Sequence, residues 1–111
     1  MAMGKRAFLD KLPFITSMGH GPTGKERAGF DLKSKGPTRL MTDMCVFEPD
    51  AETKEMTIVS IHPGVTREEI AENCGWIPRY AASCTETPAP TARELEVLRD
   101  IQARTKAAHA A

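Results

Sequence analysis

The chain has 111 residues, 41% of them hydrophobic and 27% charged, which suits one small domain with a modest core and excludes a second. Fifteen basic side chains balance fifteen acidic ones, so no broad field draws in nucleic acid or an anionic membrane. The longest apolar runs fall far short of the roughly 20 residues that cross a bilayer, and the N-terminus has no signal-peptide core; the expectation is a soluble cytoplasmic protein with no nucleic-acid or membrane partner.

In chain order, residues 1–12 form a lead-in in which Ala7, Phe8 and Leu12 share one short helical face that Pro13 stops. Phe14-Ile15-Thr16-Ser17 is β-branched and aromatic enough to predict a short strand. Glycines at 19, 21, 24 and 29 then predict loop from Met18 to Pro37. Arg39 to Phe47 and Met56 to Ile61 are the best strand candidates, and the acidic Glu48 to Glu55 loop makes them an antiparallel hairpin over about 39–61. Alternation puts Leu40, Met44 and Val46 on one face and Met41, Cys45 and Phe47 on the other. Such a hairpin needs cover on two sides.

Pro63-Gly64 ends the second strand, and a helix over about 67–74 follows. Thr66 and Glu69 form a capping box, Val65 and Ile70 a hydrophobic staple, and Asn73 and Gly75 the stop. Residues 77–90 read as a Pro-containing arm, extended and unpaired. Thr91 and Glu94 repeat the box at the start of a terminal helix over about 92–107, with Leu95, Leu98 and Ile101 in one stripe and Val97 beside it. Its opposite, charged face reads as solvated.

Gly19-His20-Gly21-Pro22-Thr23-Gly24-Lys25 satisfies G-x-x-x-x-G-K, yet Glu26 stands where a phosphate loop needs Ser or Thr, and Pro22 removes an N–H. A mobile glycine-rich surface loop is the reading these departures favour. His62, beside Pro63-Gly64, is expected to hydrogen-bond to the turn rather than to act as a base. Ser17, His20 and Asp31 can be drawn as a triad but lack a nucleophile-elbow context. Cys45, Cys74 and Cys84 are odd in number, and with His20, His62 and His109 they offer no paired metal-ligand spacing, so free thiols and no metal are expected. Glu48, Asp50, Glu52 and Glu55 lack the calcium-loop pattern and read as a solvated turn.

The order of segments says more than any one motif. The T-D-x-x-V-F core at Thr42, Asp43, Val46 and Phe47, the H-P-G-V-T box from His62 to Thr66, and the N-x-G-W end at Asn73, Gly75 and Trp76 come in this order between Phe8 and Arg104. Together they resemble the C-terminal part of the β subunit of class I coenzyme A transferases of the glutaconate and 3-oxoadipate type. The resemblance implies a single partial α/β domain over 1–111, from a coenzyme A transferase-like fold of the NagB/RpiA type. It further implies coenzyme A and acyl-CoA as substrates alongside carboxylic acids, no covalently bound cofactor, and two partners: the remaining part of the β subunit and an α subunit. In that family a glutamate in an S-E-N-G type motif attacks the thioester. The motif is absent from this sequence, so no catalytic residue is assigned, and the chain is expected to be inactive alone. A non-enzymatic assembly module and part of a CoA-ester hydrolase are the alternatives. Gly19, His20, Gly21 and Lys25 are expected to line the coenzyme A or acyl cleft, with Met18 departing from the Pro that relatives tend to carry there.

Overall fold

A computed structural model describes residues 1–110. Its centre is a four-stranded sheet of order β1-β2-β3-β4, with β1 at Leu40–Met41, β2 at Cys45–Pro49, β3 at Met56–Ile61 and β4 at Arg79–Glu86. β2 and β3 are antiparallel, with Phe47 opposite Ile58 and Cys45 opposite Ile61, as the predicted hairpin requires. Two helices complete it, α1 at Arg67–Glu72 and α2 at Ala92–Ala110.

The predicted strand over 39–47 is divided in two. Thr42 causes the break: its Oγ1 accepts from the backbone N–H of Met44 (3.1 Å) and Cys45 (2.9 Å) and donates to the Cys45 carbonyl (2.8 Å), which turns the chain back on itself. β1 therefore pairs antiparallel with β2, Leu40 opposite Phe47. Asp43 at the tip accepts from the Met3 N–H at 2.7 Å and ties the lead-in to this turn.

The arm expected over 77–90 contains β4, which runs parallel to β3 after the α1 crossover. Prolines flank this strand at Pro78 and Pro88 instead of interrupting it, so its ladder donors are intact. The pairing is irregular. Thr57 and Ile58 face Arg79 and Tyr80, Ser60 and Ile61 face Thr85 and Glu86, and residues 81–84 bulge past Val59 alone. The strand predicted at Phe14–Ser17 is not formed. Phe14 is 78% exposed and Ile15 64% exposed, with no neighbouring strand to satisfy their backbone. The lead-in likewise makes one turn, closed by the Ala7 and Phe8 N–H on the Gly4 carbonyl, which buries Phe8 and leaves Leu12 exposed.

The core consists of Met3, Phe8, Cys45, Phe47, Ile58, Ile70 and Cys74. Phe8 lies between Phe47, with ring centroids 6.1 Å apart, and Trp76, at 5.8 Å. The hairpin face carrying Cys45 and Phe47 is thus covered by the lead-in and by α1.

Candidate functional site

The glycine-rich segment folds on itself because its backbone enters conformations that favour glycine. Gly19, Gly21, Gly24 and Gly36 all have φ between +57° and +88°. Gly24 sits so close to the Thr53 carbonyl that a Cβ would collide with it, which seats the loop against the β2–β3 turn. Inside the loop, the Glu26 side chain folds back onto the loop's own donors. Its carboxylate accepts from the Thr23 N–H (3.1 Å), the Thr23 hydroxyl (2.8 Å) and the Lys25 N–H (3.2 Å). The Thr23 hydroxyl, first among these donors, holds the Glu26 carboxyl below the usual range. The loop's own anion occupies its nest, which gives the departure at position 26 a structural meaning.

The outer face of the segment borders a cleft of about 540 Å³ lined by His20, Arg27, Phe30, Leu32, Lys35 and Lys54, among others. Its lining includes cations and no carboxylate, and Phe30 and Leu32 are exposed apolar side chains. Such a cleft suits an elongated ligand with an apolar stretch and an anionic end. The His20 ring lies 2.7 Å, through Nε2, from the Pro37 carbonyl. A carbonyl can only accept, so Nε2 carries the proton. The cleft of about 530 Å³ beside the β4 bulge differs in kind: Glu48, Asp50 and Glu52 border it, and its Arg79 is paired with Glu55 at 3.1 Å. An anionic ligand would be repelled there.

Of the residues predicted from sequence, His20 lines the cation-rich cleft, whereas Gly19 and Gly21 shape the loop behind it. Lys25 is exposed and outside the lining; its N–H serves Glu26. Sequence reading missed Arg27, Lys35 and Lys54. Lys54 reaches the cleft from the β2–β3 turn at a φ of +60°, a conformation that glycine or asparagine would have signalled in the sequence and lysine does not.

His62 is fully engaged, and its ring partners are not those of its own turn. Nε2 donates to the Thr42 carbonyl at 2.9 Å, Nδ1 lies 2.8 Å from Thr87 Oγ1, and Thr87 Oγ1 lies 3.0 Å from Ser60 Oγ. The ring therefore joins the β1–β2 turn to the residue after β4. Cys45, Cys74 and Cys84 are free, and burial pushes the Cys45 and Cys74 thiols up, away from the reactive thiolate. Among the described residues, no His, Cys, Asp and Glu side chains group as metal ligands, and no helix is long and apolar enough to cross a membrane.

Comparison with known proteins places the chain in a family. Residues 1–73 match the family model for coenzyme A transferase. The chain is 53% identical over 104 residues to the β subunit of the 3-oxoadipate CoA-transferase of Pseudomonas knackmussii, covering 94% of this chain and 40% of that protein. It superimposes on glutaconate coenzyme A-transferase from Acidaminococcus fermentans with a TM-score of 0.73 and 31% identity, over 89% of this chain and 38% of that one. Rhodococcus jostii IpdAB shares the fold at a TM-score of 0.66 and 22% identity, over 88% of this chain and 39% of that one. The chain thus spans about two fifths of the length of these relatives.

Proposed function

The chain belongs to the coenzyme A transferase family, and on that premise we propose that it is the C-terminal portion of a β subunit that moves coenzyme A between carboxylic acids, of the 3-oxoadipate or glutaconate type. The observation that carries this reading is the 53% identity sustained across 94% of the chain. Identity to the cholesterol ring-cleaving hydrolase IpdB subunit of Rhodococcus jostii is 24%, less than half of that to the transferase subunit. In this reading the cleft receives the acyl-CoA: Lys35 and Lys54 face its anionic groups, Phe30 and Leu32 its apolar stretch, and His20 its polar centre. The chain has no S-E-N-G motif, so the nucleophilic glutamate comes from the remaining part of the β subunit, and an α subunit completes the enzyme.

Reconstitution tests this. The chain is co-expressed with a polypeptide supplying the rest of a β subunit, including the glutamate motif, and with an α subunit; coenzyme A transfer from an acyl-CoA to 3-oxoadipate is then measured. Activity is expected only in the complete mixture. Equal activity without the 111-residue chain would overturn the proposal, as would thioester hydrolysis that ignores the acceptor acid. Calorimetric titration of the chain with coenzyme A tests the cleft separately: Lys35→Ala with Lys54→Ala is expected to weaken binding by several-fold to about thirtyfold, since ion pairs made by solvent-accessible lysines are worth about 0.2–1 kcal/mol each.

A further inference from the structure

Arg27 is the guanidinium on the cation-rich cleft, and an anionic ligand would ordinarily be assigned to it. Its hydrogen bonds argue otherwise. Nη1 donates to the Gly19 carbonyl at 2.9 Å, Nε and Nη2 donate to the Ser34 carbonyl at 3.2 and 3.1 Å, and Nη2 also donates to Ser34 Oγ at 2.6 Å. A guanidinium has five N–H donors, and these contacts occupy one edge of the fork completely and part of the other. No edge is left for two-pronged recognition of a carboxylate or phosphate.

The groups it holds are the two ends of the His20 contact. Gly19 is peptide-bonded to His20, and Ser34 lies just before Gly36-Pro37, whose carbonyl faces His20 Nε2. Gly36, with φ of +88°, lies so near that a Cβ would stand 2.9 Å from His20 Cε1 and 3.0 Å from Arg27 Nε. Imidazole, guanidinium and glycine backbone thus form one packed unit. Nε2 is committed to Pro37, and His20 Nδ1 has no hydrogen-bond partner among the described residues.

We propose that Arg27 is a positioning residue that clasps Gly19 to Ser34 and thereby holds His20 in the Nε2–H form, with Nδ1 presented as an acceptor for a ligand N–H or O–H donor such as an amide or a hydroxyl. This deepens the cleft reading above and rests on it only for the ligand's chemistry. The clasp itself is tested without any ligand.

The full chain, labelled with ¹⁵N at histidine, is examined by long-range ¹H–¹⁵N correlation at about pH 8, above the ordinary imidazole range. His109, exposed near the end of α2, is the free reference, and His62 the engaged one. His20 is expected to show a single Nε2–H form with a protected ring proton, unlike His109. Arg27→Lys keeps the charge and loses the fork; it is expected to return His20 to the His109 pattern while His62 is unchanged, with Ser34→Ala in between. Three results would overturn the proposal: a wild-type His20 that matches His109, an Arg27→Lys variant whose His20 is unchanged, or loss of the His62 pattern together with that of His20, since the clasp would then serve the whole fold. Failure of coenzyme A to bind bears on the cleft reading alone and leaves the tautomer result standing.

Discussion

Helices α1 and α2 begin with the same chemistry and end with opposite roles. In α1, Glu69 takes the Thr66 N–H at 2.7 Å and Thr66 Oγ1 takes the Glu69 N–H at 3.2 Å. In α2, Glu94 and Thr91 repeat the exchange at 2.7 and 3.2 Å. Yet α1 has six residues and buries Ile70 completely, whereas α2 has nineteen and buries none. Thr23 and Glu26 share the T-x-x-E spacing, but there Glu26 is itself the first residue of a four-residue 3-10 turn whose N-cap, Lys25, makes no side-chain cap. A cap selects where a helix starts; the residues that follow set its length, and tertiary contact sets its contribution to the fold. Asn73 and Gly75 stop α1, while α2 runs on through Ala, Gln, Arg and Lys without a breaker.

Truncating the apolar stripes should separate the two helices most. Ile70→Ala is expected to cost about 2–5 kcal/mol in urea unfolding, whereas Leu98→Ala, 49% exposed in the native chain, should stay within about 0.5 kcal/mol. Equal losses would mean that α2 is packed as tightly as α1. The end of α1 is the next place to break it. The Gly75 N–H donates to the Phe8 carbonyl at 2.7 Å, and a Cβ on Gly75 would strike that carbonyl and stand 2.7 Å from the Asp10 nitrogen. Gly75→Ala should therefore cost about 1–3 kcal/mol and free the lead-in to proteolysis; an unchanged digestion pattern would refute the contact.

Removing the caps gives a smaller contrast. Thr66→Ala should lower global stability by about 1 kcal/mol, while Thr91→Ala should fray α2, seen as lost helical circular dichroism with the unfolding midpoint unmoved. Acid should produce the smallest difference. The Thr66 and Thr91 backbone N–H groups, first among the causes, hold the Glu69 and Glu94 carboxyls below the usual range. A depressed folded-state value gives stability that is present above the unfolded carboxylate value of about 4.3 and lost as pH falls through the lower folded one. Across that window the midpoint should follow Glu69, and only the local helical signal should follow Glu94; Glu69→Gln should flatten the first dependence.

Where the sequence could be read, the signal was local. The capping boxes and the β2–β3 hairpin depend on residues a few positions apart, and each is present. The strand at β4 was missed because its partner is β3, reached across α1, and no spacing within 79–86 reveals a parallel neighbour. Phe14-Ile15-Thr16-Ser17 has strand composition without an edge to join, so propensity had nothing to act on. The site divides in the same way. His20 and the glycines were legible as a loop able to admit a ligand, but Lys54 and Lys35 join it only once positive-φ turns fold the segment back. The bonding of Arg27 to Gly19 and Ser34 spans that whole fold-back.

The stack of Trp76 on Phe8 has an optical consequence. Trp76 is the sole tryptophan, its ring lies 26° from the plane of Phe8, and the adjacent Gly75 holds the Phe8 carbonyl. Its emission therefore reports the docking of the lead-in on the core as well as global unfolding, and is insensitive to fraying of α2. Undocking of the lead-in before global unfolding would appear as a red shift that precedes the loss of far-ultraviolet dichroism, with no label added to the protein.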